Sequence, residues 1–114
     1  MITIYHNPRC SKSRQGLEIL ENSGKEFEVI KYLDEPISEE QLKKLIGMLG
    51  IQPIDLVRKN EAIWKSDFKG KELSDNEIIS AMVKHPKLIE RPIVVNNGNA
   101  VIGRPAENIK ALIK

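Results

Sequence analysis

The first 32 residues constrain the fold most, because they predict a strand, a helix and a second strand in close succession. Residues 1–5 alternate and are rich in β-branched side chains, and residues 27–32 repeat that pattern. Between them, residues 11–22 carry apolar side chains at helical spacing, and Gly24 is placed to end the helix. A crossover of this length joins parallel strands with right-handed sense. We therefore predict a βαβ unit, with the end of the first strand and the start of the helix at one edge of the sheet.

The middle of the chain, at about residues 38–90, predicts helices and few strands. Segments 38–41 and 74–77 both match the capping box, in which Ser and a Glu or Gln three residues later satisfy each other's backbone N–H groups. Apolar residues follow each box at helical spacing. Between the two helices we predict a short helical piece over residues 55–64 and then a polar turn over residues 67–71.

The C-terminal third returns to strand. Residues 92–95 and 100–102 flank Asn97-Gly98, a strong hairpin-turn signal. Residues 105–113 predict a closing helix with its proline in the first turn. The order β-α-β, helical insertion, β-β-α is that of an α/β, thioredoxin-like fold. We expect a mixed four-stranded sheet in a single domain over residues 1–114, with the insertion between its βαβ and ββα halves.

Composition narrows the functional classes. A chain of 114 residues that is 40% hydrophobic and 30% charged can bury one core. The net charge is +2 and the two signs are interspersed, so no basic stripe indicates nucleic acid. No apolar run has membrane-spanning length, and the N-terminus enters a strand directly. We expect a cytoplasmic monomer with no nucleic-acid or membrane partner, no metal and no bound cofactor.

The single cysteine, Cys10, lies between the first predicted strand and helix. Backbone N–H groups at a helix N-terminus lack intrahelical partners, so they lower a thiol pKa and attract anions. The neighbouring His, Asn, Pro, Arg, Ser and Lys residues suit an exposed polar loop better than a buried packing site. Because one cysteine cannot form an internal disulfide, any redox cycle must be closed by a thiol from another molecule. We predict that Cys10 is a reactive nucleophile.

The arginines are the second functional signal, because the guanidinium fork matches tetrahedral oxyanions in a way that lysine does not. Arg91 and Arg104 precede prolines at the mouth of the predicted hairpin, which faces Cys10 in this fold. Arg58 falls in the short middle helix. We expect these three arginines to meet at the thiol, and we expect the Arg91-Pro92 peptide to be cis, as is common before the third strand of this fold.

The loop around the cysteine supplies further candidates. His6 is close enough in sequence either to lower the pKa of Cys10 when protonated and take part in proton transfer, or to organise the loop by hydrogen bonding. Ser11, Lys12 and Ser13 offer backbone N–H groups and side chains to an anion. There is no Gly-rich phosphate-binding pattern, so a nucleotide is not expected.

Four blocks of the chain resemble the glutaredoxin-coupled arsenate reductase family, which shares its superfamily with the Spx regulators. They are residues 6–14, Arg58, residues 90–93 and residues 102–105. Together they cover nearly the whole length, in the family's order and spacing. One local departure is Ser11-Lys12, where the best-established members carry Gly-Thr.

The resemblance implies a function and a set of roles. Cys10 would be the nucleophile, with His6 supporting its thiolate. The oxyanion-binding set would be Arg58, Arg91, Arg104, Ser11 and Ser13, and the candidate contacts for a thiol partner would be Arg9, Lys12 and Arg14. The thiolate would attack the arsenic of arsenate and expel water, after which glutathione, as co-substrate, would reduce the adduct and glutaredoxin would resolve the mixed disulfide. Arsenite would be released.

The sequence alone does not exclude two other functions. An Spx-type regulator binds RNA polymerase and often carries Cys-x-x-Cys, whereas Ser13 occupies the second position here, and the three arginines favour the enzyme. A glutaredoxin-like oxidoreductase would act on glutathionylated proteins. A low-molecular-weight tyrosine phosphatase is disfavoured, because its loop has five residues between Cys and Arg, while only three separate Cys10 from Arg14.

Overall fold

The computed structural model describes residues 1–114. Two compact units make up the chain: residues 1–35 with residues 91–114 form the first unit, and residues 36–90 form the second. The strands and helices are, in chain order, β1 (Ile2–Tyr5), α1 (Ser11–Asn22), β2 (Phe27–Ile30), α2 (Glu39–Leu49), α3 (Ala62–Asp67), α4 (Asp75–Lys84), β3 (Ile93–Asn96), β4 (Asn99–Ile102) and α5 (Glu107–Leu112). That these units form one domain stays a prediction.

The first unit is built on a four-stranded mixed sheet in the order β2-β1-β3-β4. Strand β1 runs parallel to β2 and antiparallel to β3, and β3 is antiparallel to β4. This confirms the predicted fold class and the βαβ unit. Its apolar core contains Ile2, Ile4, Leu20, Val94, Ile109 and Ile113. The sheet thereby places the C-terminal end of β1 beside the β3–β4 hairpin, and the loop that leads to Cys10 begins there.

The predicted hairpin turn is confirmed. Asn97 and Gly98 both adopt positive φ, at 52° and 79°. A two-residue turn of this kind matches the right-handed twist of the strands it joins, and it requires positive φ at both central positions. Residues that tolerate the left-handed region are therefore placed where the turn needs them.

In the second unit, the structure confirms both capping boxes. The Ser38 hydroxyl accepts from the Gln41 backbone N–H at 3.1 Å, and Gln41 Oε1 accepts from the Ser38 backbone at 3.0 Å. Ser74 and Glu77 make the equivalent pair of bonds at the start of α4. Each box satisfies two backbone donors that a helix start otherwise leaves unpaired.

The predicted helical piece over residues 55–64 is wrong as a single element. A 3₁₀ turn occupies Pro53–Leu56, and α3 begins only at Ala62. Val57 instead forms an isolated β-bridge with Ile89, and the Arg58 backbone N–H donates to the Leu88 carbonyl at 2.7 Å. Because this backbone pairs with a segment remote in sequence, it cannot continue a helix, and Arg58 lies in the break between two helical pieces.

Two element ends also differ from expectation. Strand β2 ends at Ile30 instead of residue 32, because the Lys31 carbonyl accepts from two N–H groups of the following turn. Pro105 precedes α5 instead of occupying its first turn, and the Arg104-Pro105 peptide is cis. The Arg104 N–H donates to the Ile102 carbonyl, so the chain turns here before the helix begins.

None of the helices has the length and apolar character of a membrane-spanning segment, since the longest, α1, has 12 residues.

Candidate active site

Cys10 is the N-cap residue of α1 and is partly buried. Its backbone is extended, with φ −94° and ψ 122°, and its carbonyl accepts the first helical bond from the Arg14 N–H at 3.0 Å. Its own N–H donates to the Asn7 carbonyl at 3.0 Å, which closes the loop after β1. The sulfur therefore lies where the unpaired N–H groups of the first helical turn are available, as the sequence predicts.

Two of the predicted arginines meet at this sulfur. Arg104 Nη2 lies 3.3 Å from Cys10 Sγ, and Arg104 Nε donates to the Arg91 carbonyl at 2.8 Å. The Arg91 guanidinium also hydrogen-bonds the thiol. The Arg91-Pro92 peptide is cis, as expected. Two residues from the far end of the sequence thus bring fixed positive charge to a thiol near its start.

The pKa of Cys10 is lowered from its ordinary value by this environment. Partial burial alone raises it, but hydrogen bonds from the Ser13 backbone N–H, the Arg91 guanidinium and the Lys12 backbone N–H together outweigh that effect. A larger fraction of the thiol is therefore ionised at neutral pH than in free cysteine. The thiolate is the nucleophilic form.

His6 is buried and takes part in a separate network. Its Nδ1 lies 2.7 Å from the Ser13 hydroxyl oxygen, which also accepts from the Asn7 backbone N–H at 3.0 Å. The pKa of His6 is lowered, chiefly by burial and then by Lys31, while a hydrogen bond with the Ser13 backbone acts in the opposite direction. The contact with Ser13 joins the His6 ring to the first turn of α1, and the role of His6 toward Cys10 stays a prediction.

The other residues around Cys10 differ in how far their side chains are exposed to solvent. Ser13 has no exposed surface, and its hydroxyl is engaged by His6 and Asn7, so only its backbone N–H reaches the sulfur. Ser11 and Lys12 have exposed side chains. The side chains of Arg9 and Arg14 are exposed as well, and Arg14 Nη1 donates to the Pro8 carbonyl at 3.0 Å.

Arg58 belongs to the second unit. Its Nε lies 3.9 Å from Glu61 Oε1, and its Nη1 is buried without a hydrogen-bond partner. A buried guanidinium nitrogen without an acceptor is uncommon, because desolvating it costs free energy that a hydrogen bond normally offsets. Its role toward Cys10 stays a prediction.

The comparison with known protein families covers almost the whole chain. The profile of the ArsC family matches residues 5–112, a range that contains the cysteine loop, Arg58 and both arginines at the sulfur. The chain belongs to the ArsC family.

Several relatives of this ArsC-family chain are similar over nearly their full lengths. It is 45% identical to an uncharacterised Escherichia coli K12 protein, YfgD, over 98% of this chain and 96% of that one. It is 42% identical to an arsenate reductase of Neisseria meningitidis serogroup B, over 98% of this chain and 97% of the relative. Among solved structures, an arsenate reductase from Vibrio cholerae is 47% identical with a TM-score of 0.92, covering 97% and 96% of the two chains.

Sequence reasoning missed one residue of this ArsC-type site, Asn7. It is buried; its carbonyl accepts from Cys10, and its side-chain oxygen accepts from the Arg9 backbone N–H at 3.0 Å. The sequence signal for Asn7 was present, because an Asn followed by Pro commonly accepts from the backbone N–H two residues on and so starts a turn.

No group of three His, Cys, Asp or Glu side chains has the arrangement of a metal site.

Proposed function

We propose that the protein is an arsenate reductase whose nucleophile is Cys10. The observation that carries the proposal is the 3.3 Å contact between Arg104 Nη2 and the sulfur of a thiol with a lowered pKa. Membership of the ArsC family, and 42% identity to a protein named arsenate reductase, support the choice of oxyanion.

The first step forms a bond between sulfur and arsenic. The Cys10 thiolate attacks As(V), an arsenate oxygen leaves as water after taking up protons, and the oxidation state of arsenic does not change. Negative charge on the remaining oxygens is stabilised by the guanidinium groups of Arg91 and Arg104 and by the N–H groups of the first helical turn. Arg58, with its buried Nη1 lacking a partner, is retained in the proposed oxyanion set.

The second step needs two electrons, and this chain cannot supply them alone. It has one cysteine, so two external thiols are oxidised to one disulfide while As(V) becomes As(III), and Cys10 returns to its thiolate form. We propose glutathione as the co-substrate and glutaredoxin as the protein that resolves the mixed disulfide. Arsenite is the product.

The surface beside the thiol carries the charges that such a donor would meet. Arg9, Lys12 and Arg14 are exposed cations in or next to the cysteine loop. A cavity of about 240 Å³ is lined by residues 6–9 together with Lys31, Leu33 and Asp34. Glutathione has two carboxylates and one ammonium, so the cations and the carboxylate of Asp34 complement both kinds of charged group.

The proposal is tested by following arsenate-dependent NADPH oxidation in the presence of glutathione, glutaredoxin and glutathione reductase. We expect turnover with the wild type and none with Cys10→Ser, which keeps the size of the side chain and removes the thiolate. Leaving out glutaredoxin tests that protein in the same assay, whereas glutathione is tested by measuring arsenite directly, because NADPH oxidation by glutathione reductase itself requires glutathione disulfide. Full activity of folded Cys10→Ser would exclude the nucleophile, whereas activity that survives without glutaredoxin would exclude only that partner.

A further inference from the structure

Asn108, near the start of α5, makes two side-chain hydrogen bonds that the proposed reaction does not use. Its Nδ2 donates to the Ile102 carbonyl at 3.1 Å and to the Arg104 carbonyl at 3.4 Å. A side-chain amide nitrogen carries two hydrogens, so one is available for each oxygen. Because carbonyl oxygens only accept, the amide must present its nitrogen, and not its oxygen, to both of them.

The two carbonyls lie at the ends of the short turn that leads from β4 toward α5. Ile102 is the last residue of β4, and the Arg104 N–H donates back to the Ile102 carbonyl at 2.8 Å. That carbonyl therefore accepts two hydrogen bonds, one from the backbone and one from Asn108. The amide of Asn108 thus holds the turn at both of its ends.

The surroundings of the turn give Asn108 a fixed base from which to act. Ile109, the next residue of α5, has no exposed surface and belongs to the apolar core of the first unit. Gly103, in the middle of the turn, is buried, and its N–H donates to the Pro92 carbonyl at 2.8 Å. The turn is therefore attached to the β3 side through Gly103 and to α5 through Asn108.

The side chain that this turn carries is the one that contacts the thiol. Arg104 Nη2 lies 3.3 Å from Cys10 Sγ, and Arg104 Nε donates to the Arg91 carbonyl at 2.8 Å. Holding a long side chain in one geometry costs conformational entropy. A backbone that is already fixed at Arg104 leaves less freedom to be lost when the guanidinium meets the sulfur.

We propose that Asn108 is a positioning residue, which fixes the backbone of Arg104 and thereby aims its guanidinium at the Cys10 sulfur. This role deepens the proposed function and rests on it for its relevance to turnover. A residue that only stabilised α5 would make the same two bonds. The two roles differ in their effect on Arg104 and the thiol.

The same substitution at two asparagines separates these roles. Asn108→Leu keeps the size of an exposed side chain and removes its donors. Asn96→Leu is the matched control, because Asn96 Nδ2 donates to the Leu112 carbonyl at 3.1 Å, at the opposite end of α5. Nitrogen NMR follows hydrogen exchange at Arg104 Nε, whose signal is assigned by its loss in Arg104→Lys. The pH dependence of Cys10 alkylation gives the thiol pKa.

In Asn108→Leu we expect the Arg104 Nε–H to exchange with solvent about tenfold faster, because its bond to the Arg91 carbonyl is no longer held in place. The thiol pKa should rise by about half a unit to one unit, the equivalent of one hydrogen bond. In the arsenate assay, kcat/KM should fall by about tenfold. Asn96→Leu should leave all three quantities unchanged, whatever stability it loses.

Unchanged Arg104 exchange and thiol pKa in Asn108→Leu would overturn the proposal, and so would equal changes in both variants. If Asn108→Leu does not fold, the unaltered protein decides. We expect the Asn108 side-chain amide to exchange more slowly than that of the exposed Asn22, and equal rates would overturn the proposal. Because the NMR and alkylation readouts do not involve arsenate, failure here is distinguishable from failure of the proposed reductase activity.

Discussion

At the scale of single residues, Arg104 explains why arginine is needed at this site. Its Nη2 contacts the Cys10 sulfur at 3.3 Å while its Nε donates to the Arg91 carbonyl at 2.8 Å. The second bond fixes the plane of the guanidinium, so the first points at the sulfur without further ordering. Lysine has the same charge but a single nitrogen, which cannot hold both positions.

We therefore expect Arg104→Lys to lower kcat/KM for arsenate by about a hundredfold to a thousandfold, or about 3–4 kcal/mol in transition-state stabilisation, as for other preorganised donors. Steady-state kinetics in the coupled assay measure the effect, and the circular dichroism spectrum checks that the fold is retained. Unchanged kcat/KM would mean that charge alone is sufficient and that the fork geometry is not used.

The lowered pKa of Cys10 also makes stability depend on pH. Because the folded pKa lies below that of the unfolded chain, the unfolded chain binds more protons between the two values, and stability rises with pH across that interval. Relative to Cys10→Ser, the wild type should gain stability as pH rises through the folded pKa. The gain should be complete above the unfolded pKa and lost on acidification.

Urea unfolding of both proteins at a series of pH values measures this difference, since the other titrating groups are shared and largely cancel. A stability difference that stays constant with pH, or one that shrinks as pH rises, would contradict a stabilised thiolate in the folded state.

At the scale of elements, Gly16 and Gly103 allow the backbone to pack closely against Pro92 and Ile109. A Cβ on Gly16, in α1, would lie 2.9 Å from Pro92 Cγ and 2.9 Å from Ile109 Cδ1, and one on Gly103 would lie 2.8 Å and 2.7 Å from the same atoms. The end of the isoleucine can rotate away, but the proline ring is rigid. Pro92 follows Arg91 directly, so this contact supports the backbone that carries an active-site residue.

We expect Gly16→Ala to lower the free energy of unfolding by about 1–3 kcal/mol through overpacking, although alanine is the better helix former. The matched control is Gly47→Ala in α2, where nothing lies within 4 Å of the new Cβ and φ is not positive. That variant should gain about 0.5–1 kcal/mol from helix propensity. Denaturant unfolding compares the pair, and equal effects would refute the packing argument.

The elements that the sequence predicted well are those with local causes. Ser38 and Ser74 start helices through bonds made within three residues, and Asn97-Gly98 turns the chain through its own backbone preferences. The break at Val57 was missed because its cause is Ile89, a partner more than thirty residues away. The turn before α5 was missed because Pro105 is equally typical of a first helical turn.

At the scale of the whole molecule, the site could be anticipated only in part. Cys10 and Arg104 are separated by 94 positions, and only the predicted strand order brings them together. The contact between His6 and Ser13 could not be predicted, because it depends on which side chains the folded loop brings together and buries. Residue types indicate the chemistry, while the contacts of the polar groups depend on the folded structure.

The most direct test of the central claim is to measure arsenite itself, by separating and quantifying the arsenic species after incubation of wild type and Cys10→Ser with arsenate and the full donor system. We predict one arsenite formed for each NADPH oxidised with the wild type, and none above background with the variant. NADPH oxidation without arsenite, or equal arsenite from both proteins, would contradict reduction of arsenate at Cys10.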